Sequence, residues 1–232
     1  MNGYKFTLSS LILCASFGFG VAQAGGLGFD KTRLIIQNGA VDGSFLIDND
    51  SNNAFLVRTH IEDSEKVKTN QAKALPPIFQ LNPRKAARIR VIVDKTKVAT
   101  DRETMFWMFS KAYPAQSVDD KNQSRLQFNY INRIKVFYRP QGLEGTLSQA
   151  TKDLKWSVKS NRLFVQNDSP FNISFASFSI NGKLLDTSQV LAPFSSWHSD
   201  IDLKNYPKTI QFGWNTINEF GGVTNNEMEI HR

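Results

Sequence analysis

The sequence runs to 232 residues, 41% of them hydrophobic and 21% charged, with a formal net charge of +7. That length and apolar share suffice for two sandwich-sized cores. The charge excess is moderate and scattered, with no basic run stronger than Arg84-Lys85-Ala86-Ala87-Arg88. It argues against a nucleic-acid binder and for a solubility and partner-steering role.

At the start of the chain, Lys5 precedes an uncharged stretch from Phe6 to Ala24 that closes on Ala22-Gln23-Ala24. A basic start, an apolar middle and small residues at −3 and −1 predict a secretory signal peptide over residues 1–24, cleaved after Ala24. A membrane anchor fits less well, because Leu8 to Val21 is interrupted by serine and glycine and is short against the ~20 residues of a span. Removal of Lys5 with the leader leaves a formal charge of +6, and the single cysteine, Cys14, leaves with it. The mature chain is therefore expected to hold together by burial, without disulfides or thiolate metal sites.

Strand patterns follow in order. Thr32–Ile36, Ser44–Asp48, Ala54–Arg58, Ala87–Val93 and Thr104–Phe109 are short runs rich in β-branched and aromatic residues. Asn38-Gly39, Asp42-Gly43, Asp48 to Asn53 and Leu81-Asn82-Pro83 punctuate them. About seven such strands over roughly 100 residues predict an immunoglobulin-like sandwich. The pattern stops at Tyr138-Arg139-Pro140-Gln141-Gly142-Leu143-Glu144-Gly145. This places a first domain over 25–140, a link over 141–145 and a second domain over 146–232. In the second, Leu163–Asn167, Asn172–Phe178, Trp197–Ser199 and Ile210–Trp214 read as strands, with Asn181-Gly182 as a tight turn. The expected fold class is all-β, two tandem immunoglobulin-like sandwiches, with no evident internal repeat and no amphipathic helix beyond about two turns.

The longest alternation runs from Leu126 to Tyr138, with Leu126, Phe128, Tyr130, Ile134, Val136 and Tyr138 on one face by parity. Periodicity leaves two readings open: a strand buried in its own core, or an edge that another chain uses.

Chemistry-bearing clusters are sparse. His60, His198 and His231 are scattered, and neither Gly-x-Ser-x-Gly nor His-Glu-x-x-His occurs. No catalytic, cofactor or metal site is expected, and the chain is read as a non-enzyme. A carbohydrate-binding or adhesive two-sandwich module using Trp107, Trp156, Trp197 and Trp214 is the alternative.

Four segments resemble signatures of the periplasmic pilus chaperones of the chaperone–usher pathway, the PapD-like family. They are Asp101–Trp107, Asn132–Pro140, Leu191–Ser196 and Ile217–Gly222, joined by the proline-rich Leu75–Pro83. The resemblance covers essentially the whole mature chain. It implies a boomerang of two sandwiches in the periplasm that binds, folds and caps fimbrial subunits by donor-strand complementation and delivers them to an outer-membrane usher. It further implies that Arg33 and Lys135 hold the subunit's C-terminal carboxylate, and that Leu126, Phe128 and Tyr130 fill the groove of the incomplete subunit. Glu103, Arg139 and Glu219 match an interdomain ionic network, with Glu219 standing where many relatives carry Asp. The polar connection Pro114 to Ser124 is of modest length and lacks flanking cysteines. It resembles the short-loop branch, typical of rod-like pili. An open apolar edge also predicts self-capping as a homo-oligomer.

Overall fold

The computed structural model describes residues 26–115, 128–186 and 189–231. Among the described residues nine strands build the first sandwich: β1 (Leu27–Phe29), β2 (Arg33–Ile36), β3 (Asp42–Asn49), β4 (Phe55–Glu62), β5 (Ala72–Leu75), β6 (Ile78–Leu81), β7 (Ala86–Val93), β8 (Thr104–Pro114) and β9 (Tyr130–Tyr138). One sheet has the order β1-β3-β7-β5, the other β2-β9-β8-β4-β6. Alternation decides which side chains enter: Phe45 and Ile47 of β3 and Ile89 and Val91 of β7 meet Val57, Phe106, Met108 and Val136 of the facing sheet, all fully buried. Side chains of opposite parity, such as Arg88 and Arg90, stay in water.

The second sandwich starts with a short helix, α1 (Leu147–Lys152), whose first turn is capped by Thr146 accepting from the Gln149 amide. Eight strands follow among the described residues: β10 (Lys155–Lys159), β11 (Arg162–Asn167), β12 (Ile173–Ile180), β13 (Lys183–Asp186), β14 (Val190–Leu191), β15 (Ser195–His198), β16 (Thr209–Ile217) and β17 (Val223–His231). They form a sheet β10-β11-β15 facing a sheet β13-β12-β16-β17, with β14 added to β12. The core is aromatic: the Trp156 ring lies 4.6 to 6.0 Å from those of Phe175, Phe178, Phe212 and Trp214. Asn181 and Gly182, both at positive φ, make the two-residue turn between β12 and β13 that the Asn-Gly pair predicts.

Several element limits differ from the sequence expectation. β8 continues five residues past Phe109, because the small residues Ser110 and Ala112 fill its inward positions and carry neither the β-branched nor the aromatic signal of a strand. β17 went unseen because its residues are mostly polar, as suits a sheet edge. The long run from Leu126 becomes regular strand only at Tyr130; Leu126 itself, like most of the connection Pro114 to Ser124, lies outside the described residues. The last ladder pair of β8 and β9 is Ala112 with Tyr130, and Pro114 two residues on has no amide hydrogen to continue it.

A repeat missed in the sequence does exist, three residues long. Asn49-Asp50-Ser51 in the first sandwich and Asn167-Asp168-Ser169 in the second close equivalent corners.

Candidate subunit-binding cleft

β2 is short and parallel to β9, with Arg33 opposite Lys135 and Ile36 opposite Tyr138. Before Lys135, β9 pairs with β8 on one side and with nothing among the described residues on the other. Tyr130 to Ile134 therefore present an open edge that ends at two basic side chains. Those side chains point to the same face because parallel partners in register share their orientation.

Arg33 is buried at the mouth of the space between the sandwiches. Its Nη1 donates to the Ile217 carbonyl at the end of β16, 3.2 Å away, and its guanidinium lies 5.8 Å from the Phe137 ring centre. Its Nε is buried and has no hydrogen-bond partner. The Lys135 ammonium sits 5.5 Å from the Trp107 ring centre. Burial draws the Arg33 pKa down, with the Glu103 charge opposing it; burial, and then the Arg33 charge, do the same to Lys135. Among the described residues neither cation has an acidic group within ion-pair distance. Two desolvated cations with a spare inward donor form a site short of one anion, and a carboxylate supplies both the charge and the acceptor oxygens.

Of the three groove-filling candidates, two lie within the described residues, and they differ. Tyr130 packs on the first core, its ring edge-on to Phe55 at 5.6 Å. Phe128 is 66% exposed and belongs to no strand.

On the other side of the cleft Arg139 joins the sandwiches. Its Nε donates to Glu103 Oε1 at 2.8 Å and its Nη1 to Glu219 Oε1 at 2.5 Å, with the Phe171 ring 4.9 Å away. Glu103, only 4% exposed, also accepts from the Asn172 amide at 2.9 Å, while its own amide donates to the Pro170 carbonyl. Burial raises the Glu103 pKa against the pull of Arg139 and Asn172; Arg139 is raised because the two carboxylates outweigh its own burial. The longer Glu219 side chain thus reaches Arg139. Arg102 adds a contact that sequence reasoning missed: gripped by Asp101, it stacks 4.7 Å over Phe194 of the second sandwich.

Trp107 and Phe137 were also missed as walls of the cation site. A sequence signal for both existed: each lies on the parity of Lys135, facing away from the core.

Residues 26–144 match the family of pili and flagellar-assembly chaperones through the PapD N-terminal domain, and residues 149–228 match the pili assembly chaperone PapD C-terminal domain. The probable fimbrial chaperone LpfB of Escherichia coli O157:H7 is 31% identical over 199 residues, covering 85% of each chain. The chaperone protein LpfB of Salmonella typhimurium is 31% identical over 219 residues, 92% of this chain and 94% of the relative. The solved periplasmic chaperone SfaE superposes with a TM-score of 0.74 at 26% identity, over 89% of this chain and all of that one. A chain from the Salmonella enterica SafA pilin–SafB chaperone complex shares the fold, with a TM-score of 0.76 at 23% identity over 89% of this chain and 96% of that one. With both family domains matched in order and relatives above 30% identity along most of its length, the chain belongs to the PapD-like family of pilus-assembly chaperones.

Proposed function

We propose that this chain caps fimbrial subunits in the periplasm by lending them the start of β9, and passes them to an outer-membrane usher. The observation that carries this reading is the gap beside Tyr130–Ile134, open on one edge and closed at its far end by Arg33 and Lys135. A strand entering that gap with its C-terminal carboxylate against the two cations runs in the direction of β9, collinear with β2. Backbone hydrogen bonds then give sequence-tolerant affinity. Each charge-assisted bond to the carboxylate contributes roughly 1.5–3 kcal/mol. Beyond the described start of β9, Leu126 and Phe128 continue the parity of Tyr130 and would enter the subunit's groove.

The Glu103–Arg139–Glu219 bonds serve this reading by fixing the angle between sandwiches, a more natural role than net stabilisation because desolvation offsets their attraction. Without a client, the open edge invites a second copy to cover it, giving a self-capped homo-oligomer. The adhesive alternative finds little support in the tryptophans. Trp214 is buried, Trp156 and Trp197 pack on the second core, and Trp107 lies beneath lysines.

Co-expression with the subunits of its own fimbrial system, followed by affinity purification from the periplasm, tests the proposal. The wild type is expected to bring a subunit with it. Arg33→Ala combined with Lys135→Ala should lose it while keeping a folded circular-dichroism spectrum; undiminished recovery by the double variant would overturn the reading.

A further inference from the structure

The turn joining β16 to β17 is closed by its own hydrogen bonds and carries an aromatic ring into solvent. Asn218 Oδ1 accepts from the amides of Phe220 and Gly222 at 3.0 and 2.9 Å, and the Asn218 amide donates to the Gly222 carbonyl at 2.8 Å. Gly221 takes φ +85°, and a Cβ there would stand 2.5 Å from Thr32 Oγ1, so the tip presses directly on the approach to β2. Ile217 on one side is bonded to Arg33, and Glu219 within the tip to Arg139. Held at these points, Phe220 is 94% exposed. It lines a crevice of about 460 Å³ with Arg33, Leu34 and Ile35, a crevice that Asp30 and Glu219 also line.

A single exposed apolar residue needs no explanation. This one is fixed on a hydrogen-bonded tip, and it shares a crevice with the arginine that is short of an anion. The residue that brings a carboxylate to Arg33 carries its own side chain, and Phe220 lines the crevice that Arg33 also lines.

We propose that Phe220 forms the apolar wall of a subsite for the side chain of the subunit's last residue, so that the cleft selects a free carboxylate borne by a bulky aromatic or branched aliphatic residue. The inference rests on the carboxylate reading above. Burying an apolar side chain against the ring adds an area-dependent gain to the charge-assisted bonds, and it vanishes for glycine.

The test uses three fluorescent twelve-residue peptides, identical and alternating apolar with polar residues, that end in Phe, in Gly, or in Phe amide. Binding to the full mature chain is followed by fluorescence anisotropy. The wild type should bind the Phe acid about tenfold more tightly than the Gly acid, the scale of a modest apolar contact, and should discriminate against the amide. Phe220→Ala should cut the Phe-over-Gly preference to under about twofold while keeping acid-over-amide discrimination, and Phe220→Leu should retain the preference. A preference that is absent in the wild type, or undiminished in Phe220→Ala, overturns the subsite and leaves the carboxylate reading standing. Equal binding of acid and amide by the wild type overturns the carboxylate reading, and the subsite falls with it.

Discussion

Asn49 in the first sandwich and Asn167 in the second do the same work with the same neighbours. Each Nδ2 donates to the carbonyl four residues on, Asn53 at 2.7 Å and Phe171 at 2.8 Å, and to a distant carbonyl, Asn82 at 3.0 Å and Ala192 at 2.9 Å. Each Oδ1 accepts from the amide and hydroxyl of the serine two residues on, Ser51 and Ser169. The edges of the two sandwiches then part ways. In the second, β16 and β17 pair without interruption from Thr209 with His231 to Ile217 with Val223. In the first, β2 covers only the last four residues of β9, and among the described residues nothing covers the rest of that edge beside two cations. Equivalent corners therefore do not make equivalent modules: what distinguishes the first sandwich is a strand cut short, and what the second contributes to the cleft is a completed hairpin whose tip reaches the break.

The shared corner gives the largest expected effect. Replacing either asparagine by Ala strands at least two carbonyls and a serine hydroxyl, most of them partly shielded from water. Such losses cost about 1–3 kcal/mol for each buried group left unpaired. Asn49→Ala and Asn167→Ala should each lower the urea midpoint by an amount equivalent to roughly 2–4 kcal/mol. Unequal losses, with one variant near wild type, would break the equivalence of the corners.

The open edge gives the next. Phe128 is mostly exposed, so Phe128→Glu should leave the urea midpoint almost unchanged while weakening subunit capture about tenfold to a hundredfold, the value of one buried aromatic ring. Val223→Glu, at an exposed position where β17 begins, should leave both unchanged. Equal effects of the two on capture would erase the distinction between the apolar edge of the first sandwich and the polar edge strand β17 of the second. A collapse of stability in Phe128→Glu would return the strand to a purely core role.

The sequence carried the sandwiches because their inward residues are β-branched or aromatic at strict alternation, as in Phe45, Ile47, Ile89 and Val91. It failed where inward residues are small, at Ser110 and Ala112, and where a strand is polar on an edge, at β17. Parity could not separate donation from burial along β9, and the structure shows why: one face of a single run holds both Tyr130, packed on Phe55, and Phe128, open to solvent. Arg33 and Lys135 were located by resemblance. Their juxtaposition requires a parallel pairing across about a hundred residues, and the bond from Arg33 to Ile217 spans 184 positions, so no local pattern could reveal either. The Asn-Asp-Ser corners were legible in principle. Three residues are simply too few to stand out without the hydrogen bonds that give them meaning.

The smallest expected effect concerns protons at the open edge. Burial, reinforced by the adjacent Arg33 charge, holds Lys135 below the ordinary lysine pKa. The ammonium binds a carboxylate and the neutral amine does not, so raising the pH through that lowered value weakens binding before an ordinary lysine would lose its proton. Arg33 stays charged throughout and keeps part of the affinity, which limits the decline to about the share of one charge-assisted bond. Anisotropy titrations of an acid-terminated peptide between about pH 7 and 10, the span below an ordinary lysine's titration, should show a several-fold decline for the wild type. Lys135→Arg, which cannot deprotonate there, should give a flat profile. Parallel profiles would mean that Lys135 does not share the carboxylate with Arg33, and would leave the arginine, tied to the second sandwich through Ile217, as the sole cation at the end of the open edge.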